Sequence, residues 1–138
     1  MNVETQVTNP QAPWIGPRGR IGVIIPSTNI GVEHDCQQII PDGVTWHFAR
    51  FFIKVRDLSS DESFLKFVEA IQKTIPLAVR DVVTAEVRHV MMGMSAETFW
   101  GGVDGNNAFQ DRVLDIMGPG LKLTTGADAA VAALRKFG

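Results

Sequence analysis

Two short segments of this chain carry the residue types suited to holding an anion. Pro26-Ser27-Thr28-Asn29 follows one apolar run, and Gly93-Met94-Ser95-Ala96 follows another. Hydroxyls, a carboxamide and free backbone N–H groups at the start of a helix together hydrogen-bond negative charge. Asn29 can donate to a carboxylate oxygen while carrying no charge itself. Gly93 allows the backbone to approach a ligand closely, and Ser95 with neighbouring N–H groups can donate to an oxyanion. Thr124 and Thr125 add hydroxyls at the end of a third run. Yet no Cys, His or Lys lies between Val90 and Gly102 to act as nucleophile or base. Each group has a plainer role as well. Ser27–Asn29 and Thr125 suit helix capping, Gly93–Ala96 suits a tight turn, and Glu97 is either an acid/base group or a solvated loop charge.

Other chemistries find little support. The single cysteine, Cys36, lies four residues from both Val32 and Ile40 on an apolar stripe, where a thiol packs as a small hydrophobe. His34, His47 and His89 are scattered, and no Cys/His spacing fits zinc, so no metal is expected. Gly-x-Gly-x-x-Gly and Gly-Lys-Ser/Thr are both absent, which disfavours nucleotides, and no cofactor is expected. A net charge of −2 offers no basic excess for nucleic acid or an anionic membrane. No apolar run approaches the ~20 residues of a membrane span. One unpaired cysteine and no basic-then-apolar leader fit the cytoplasm.

The 138 residues, 45% hydrophobic and 20% charged, are enough for one domain with its own core. Residues 1–18 read as a flexible leader and 19–138 as an α/β lobe. Ile21–Ile25 is a β-branched-rich run of the kind buried on both faces of a parallel sheet. A helix is expected over 30–40, with Val32, Cys36, Ile39 and Ile40 inward, stopped by Pro41-Asp42-Gly43. Val44 to Ile53 reads as a strand with Val44, Trp46 and Phe48 on one face, a parity that Phe51 breaks. Ser59 and Glu62 match a capping box for a helix burying Phe64, Leu65, Val68 and Ile71. Pro76 interrupts that helix or starts another, with Leu77, Val79 and Val83 inward. Val87–Met92 is the third strand. A helix follows over 104–117, burying Phe109, Val113, Leu114 and Ile116. Leu121–Leu123 is the last strand, and Thr125 caps a helix over 127–137 whose packing face is Ala129, Val131, Ala132 and Leu134.

Strand and helix alternate four times. The expected fold is therefore α/β, a flavodoxin-like three-layer sandwich around a four-stranded parallel sheet. Ligands of such sheets sit at the carboxyl ends of the strands, near the point where strand order reverses. Three of the four such ends here concentrate small polar residues.

Two motifs together carry a family resemblance. Ile21 to Glu33, reading Ile-Gly-Val-Ile-Ile-Pro-Ser-Thr-Asn-Ile-Gly-Val-Glu, resembles the N-terminal signature of maleate cis-trans isomerases. Val90-Met91-Met92-Gly93-Met94-Ser95 with Phe99-Trp100 resembles the corresponding loop of arylmalonate decarboxylases. Both belong to the aspartate/glutamate racemase superfamily. The resemblance implies two similar α/β lobes with the site between them, no cofactor or metal, and an enediolate held by N–H and O–H donors. It also implies a cysteine that delivers the proton. Racemases and maleate isomerases carry one cysteine on each lobe; the decarboxylases keep only that of the second lobe.

By position, Asn29 matches the substrate-binding asparagine and Gly93 the first-lobe cysteine. Met94 and Ser95 match a Thr-Ser donor pair, so Met94 lacks one hydroxyl. Glu97 and the longer spacing before Phe99 also depart from the pattern. The implied binding set is Pro26, Ser27, Asn29, Gly93, Met94, Ser95 and Ala96, with no catalytic residue in this chain. The implied ligand is a small (aryl)malonate- or maleate-like dicarboxylate. The chain has the length of one lobe, so the proton-donating cysteine is expected outside it and the uncovered apolar face implies a homo-oligomer. The rival reading is an α/β module that binds an anion or oligomerises without chemistry.

Overall fold

The apolar run after Arg18 forms β1 (Gly19–Pro26), and its burial on both faces follows from its central place in the sheet. The computed structural model describes residues 14–54, 59–94 and 101–138. Most of the expected leader, and the segment from Ser95 to Trp100, lie outside the described residues. The chain continues through α1 (Gly31–Gln38), β2 (Val44–Phe51), α2 (Asp61–Gln72), α3 (Ile75–Val83) and β3 (His89–Met92). It ends with α4 (Gly102–Met117), β4 (Lys122–Thr124) and α5 (Gly126–Phe137). The four strands are all parallel in the order β2-β1-β3-β4. The chain moves outward from β1 to β2, then crosses back to β3 on the other side of β1. Strand order thus reverses between the carboxyl ends of β1 and β3.

Alternation along the strands gives the sheet two unlike faces. On one, Ile24, Phe51, Val90 and Met92 join Ile71 of α2, Val79 of α3 and Phe109 of α4 in one buried cluster. On the other, Val23 and Ile25 are fully buried, while Trp46, Phe48 and Met91 are only partly so. The parity break at Phe51 is thereby explained: Trp46 and Phe48 face one way, and Ala49 and Phe51 pack against the cluster on the other.

Several local expectations are corrected. α1 stops at Gln38, and Ile39 and Ile40 are exposed, because a residue preceding proline is driven out of helical geometry. Ser60 rather than Ser59 caps α2. Its hydroxyl accepts from Ser63 N at 3.1 Å, and Ser63 Oγ accepts from Ser60 N at 3.2 Å, the reciprocal box with serine in place of Glu62. Pro76 starts α3, which buries Ile75, Ala78, Val79 and Val82 at helical spacing and leaves Leu77 outside. Leu65 and Ile116 are likewise exposed. Thr125 caps α5 as expected, accepting from Asp128 N at 3.3 Å. That helix buries no side chain fully: Leu134 is 71% and Phe137 82% exposed.

Candidate functional site

At the point of strand reversal, the turn after β1 gives every polar atom of Ser27 and all but one of Asn29 a partner. Asn29 N donates to Pro26 O at 3.0 Å, closing the turn. Ser27 N donates to Phe51 O at 2.8 Å, and Ser27 Oγ accepts from Ile53 N at 2.9 Å, so this serine ties the turn to the end of β2. Asn29 Oδ1 accepts from Val32 N at 3.0 Å, a capping bond to the first turn of α1. The Asn29 carbonyl accepts from Arg50 Nη1 at 2.9 Å. One group of Asn29 is left over: its carboxamide NH2 has no partner among the described residues. Capping and ligand donation are therefore compatible here, because capping uses the oxygen and leaves the nitrogen.

Gly93, just past β3, is fixed by packing. Its N–H donates to Ile24 O at 2.8 Å, extending the β1–β3 pairing. A Cβ at this position would lie 2.5 Å from Ile25 Cγ2, 3.1 Å from Val32 Cγ1 and 3.3 Å from Ile24 O. Only glycine fits so close beneath α1 without a shift. Val32 links the two loops, with its amide on Asn29 and its side chain against the Gly93 backbone. The structure thus brings Asn29 and Gly93 to one edge. Met94 turns its side chain onto the core cluster. Ser95, Ala96, Glu97, Phe99 and Trp100 lie outside the described residues.

The threonine pair is occupied internally. Thr124 Oγ1 is 2.7 Å from His89 Nε2. Thr125, buried, donates from Oγ1 to Asn106 Oδ1 at 3.1 Å, and Asn106 Nδ2 donates to Asp128 Oδ1 at 3.3 Å. Asn106 had no counterpart among the sequence expectations. Its position on the Phe109, Val113, Met117 stripe of α4 was the available signal, since a polar side chain on an apolar stripe requires a partner.

Titratable groups near this edge are few. Burial pushes the Cys36 thiol of α1 up, and Asp35 and Glu33 push it further, which disfavours the reactive thiolate. Burial lowers His47 and His89 below the ordinary histidine value, helped by Arg20 and Lys122 respectively. Among the described residues, no three His, Cys, Asp or Glu side chains cluster to hold a metal ion, and no helix is long and apolar enough to cross a membrane.

Arg50 is the residue that sequence reasoning missed. From β2 it reaches the carbonyl of Asn29, and at longer range those of Pro26 (3.4 Å) and Ser27 (3.5 Å), while its other terminal nitrogen pairs with Glu33 of α1. Backbone carbonyls leave no mark in a sequence, and Glu33 is 17 positions away, so nothing at the motif level pointed to it.

Compared with known proteins, the sequence matches no family profile and no curated protein. Solved structures do match its fold. Maleate cis-trans isomerase of Nocardia farcinica bound to TRIS aligns with a TM-score of 0.64 at 19% identity, over 85% of this chain and 48% of that one. A cysteine-to-serine variant of that isomerase, with a covalently bound succinylcysteine intermediate, aligns with a TM-score of 0.63 at 20% identity and the same coverage. The chain spans about half the length of these structures and has the α/β fold of a maleate isomerase lobe.

Proposed function

We propose that this chain is the carboxylate-holding lobe of a cofactor-independent isomerase- or decarboxylase-type enzyme acting on a small maleate- or malonate-like dicarboxylate. The observation that carries this reading is the free carboxamide NH2 of Asn29 at the point of strand reversal, the place where open α/β sheets bind ligands. A neutral donor there meets a carboxylate without opposing its charge, and strengthens its bond as charge builds on an enediolate oxygen. Ser95 and the backbone N–H groups of Met94–Ala96 would complete the donor set, the Gly93 N–H being held by Ile24 O.

The lobe alone lacks the reacting sulfur. The structurally similar isomerase carries a covalently bound succinylcysteine intermediate. Here the position that resembles a family cysteine is Gly93, closed by Ile25 and Val32, and Cys36 is buried and protonated. We therefore assign the proton donor or nucleophile to a second lobe outside this chain. The exposed stripe of Val131, Leu134 and Phe137 on α5 supports a homo-oligomeric or two-lobed assembly that covers it.

Titrating isotope-labelled protein with maleate, malonate and phenylmalonate tests this reading by NMR. The Asn29 carboxamide signal is expected to shift with at least one ligand. Asn29→Asp retains a capping oxygen, so thermal stability is expected to hold while binding is lost to charge repulsion. A carboxamide signal indifferent to all three diacids rejects the reading. Binding with no turnover, even when a cysteine-bearing second lobe is supplied, favours the non-catalytic module instead.

A further inference from the structure

We infer that Arg50 is a positioning residue for this carboxylate site, holding the Asn29 peptide so that the carboxamide NH2 faces the ligand. The inference rests on the function proposed above.

The reasoning is an account of hydrogen bonds. A residue at the entrance to a helix ordinarily gives its carbonyl to the helical ladder. In α1 the first ladder bond runs from His34 N to the Ile30 carbonyl at 3.3 Å, one residue later. The Asn29 carbonyl is left outside that ladder, at an exposed position where water is the alternative partner. Arg50 supplies a donor at 2.9 Å, and the charged guanidinium makes that bond stronger than a neutral one. With N held by Pro26 O, the carbonyl by Arg50 and Oδ1 by Val32 N, Asn29 is fixed at three points. The NH2 group is the part of Asn29 left without a partner among the described residues.

Arg50 itself is poorly placed as the carboxylate ligand. One terminal nitrogen serves the turn carbonyls and the other the Glu33 carboxylate. That ion pair also cancels the positive charge a diacid would seek. Glu33 orients the guanidinium from α1, so strand β2, the turn and the helix are held through one side chain.

The test compares Arg50→Met, Arg50→Lys and Glu33→Gln by amide hydrogen exchange and maleate titration. Arg50→Met is expected to weaken maleate binding about tenfold or more and to speed exchange at Asn29 and Val32. Exchange at Val90 and Met92 in the sheet should stay as in the parent. Arg50→Lys recovers part of the affinity, since an ammonium reaches one carbonyl. Glu33→Gln keeps most of it, because the guanidinium still holds Asn29. A parent that binds maleate while Arg50→Met binds it equally well overturns this inference alone. So does loss of protection throughout the sheet in Arg50→Met, which assigns Arg50 to general stability. A parent that binds none of maleate, malonate and phenylmalonate overturns the dicarboxylate reading together with this inference, and where it binds one of the other two, that diacid replaces maleate in the comparison.

Discussion

The two faces of the sheet are built from the same four strands but are closed to different degrees. Three helices cover one face, with Phe51, Val79, Phe109 and Val113 meeting in a single buried cluster. The eight-residue α1 lies on the other and commits only Cys36 to full burial, leaving Trp46, Phe48 and Met91 half covered. The candidate site belongs to the lightly covered side, where the start of α1 rests on Gly93. Stability is therefore concentrated on the face away from the candidate site, and the edge that carries that site is held by a few hydrogen bonds and one tight contact. Binding loops are commonly drawn from such low-stability regions.

The contrast can be broken most forcefully in the cores themselves. Phe109→Ala removes a ring buried in the closed cluster and should cost about 3–5 kcal/mol in urea denaturation. Phe48→Ala on the open face should cost roughly half of that or less, because the ring is already partly in water. Equal costs would mean that the open face is covered in solution, as an oligomer would cover it.

A smaller effect probes the contact that joins the faces at the site. Gly93→Ala drives a methyl group into Ile25 and is expected to destabilise by about 1–3 kcal/mol. In an Ile25→Ala background the same change should cost less, and a double-mutant cycle measures the difference. Additive effects would show that the Ile25 side chain yields to the added methyl group without cost.

Protonation offers a finer comparison, since His47 faces the closed side and His89 the open side. Both are held below the ordinary histidine value in the folded chain, mainly by burial. The unfolded chain then binds more protons, so this contribution is fully present above about pH 6.5 and is lost as pH falls through that value toward the folded pKa. Melting temperatures measured from pH 7.5 to 5.5 should fall, and His47→Gln and His89→Gln should each flatten part of the slope. The slightest perturbation is chemical. Alkylation of Cys36 at neutral pH should be far slower than that of an exposed thiol, and acceleration in Gly93→Ala would report loosening of α1.

Much of the architecture was legible from pattern. The β-branched run at Ile21–Ile25, the alternation of strand and helix, and the Thr125 cap all appear where periodicity and capping chemistry placed them. The errors lie at the end of α1 and in which helix faces are buried, the expected packing face Ala129, Val131, Ala132 and Leu134 of α5 being exposed throughout. Ile39, Ile40, Leu65 and Leu77 are apolar at plausible spacings, but which apolar residues find a partner depends on how far each helix extends and what faces it. The candidate site divided in the same way. Asn29 and Gly93 were readable as residue types suited to an anion. Arg50 was not, because its partners are carbonyls that every residue possesses. The serine, alanine and aromatic part of the second loop lies outside the described residues.

By itself the sequence determined the alternating α/β order and the donors available at the strand ends. It also determined that no Cys, His or Lys lies between Val90 and Gly102. These are properties of residue type and local spacing, which backbone periodicity translates directly into structure. Only the tertiary structure decided that Asn29 spends its oxygen on Val32 and keeps its nitrogen, and that Gly93 is closed by Ile25. It also decided that an arginine from the neighbouring strand orients the turn. Those outcomes depend on hydrogen-bond partners and packing distances between segments remote in sequence, which come into being only when the sheet assembles.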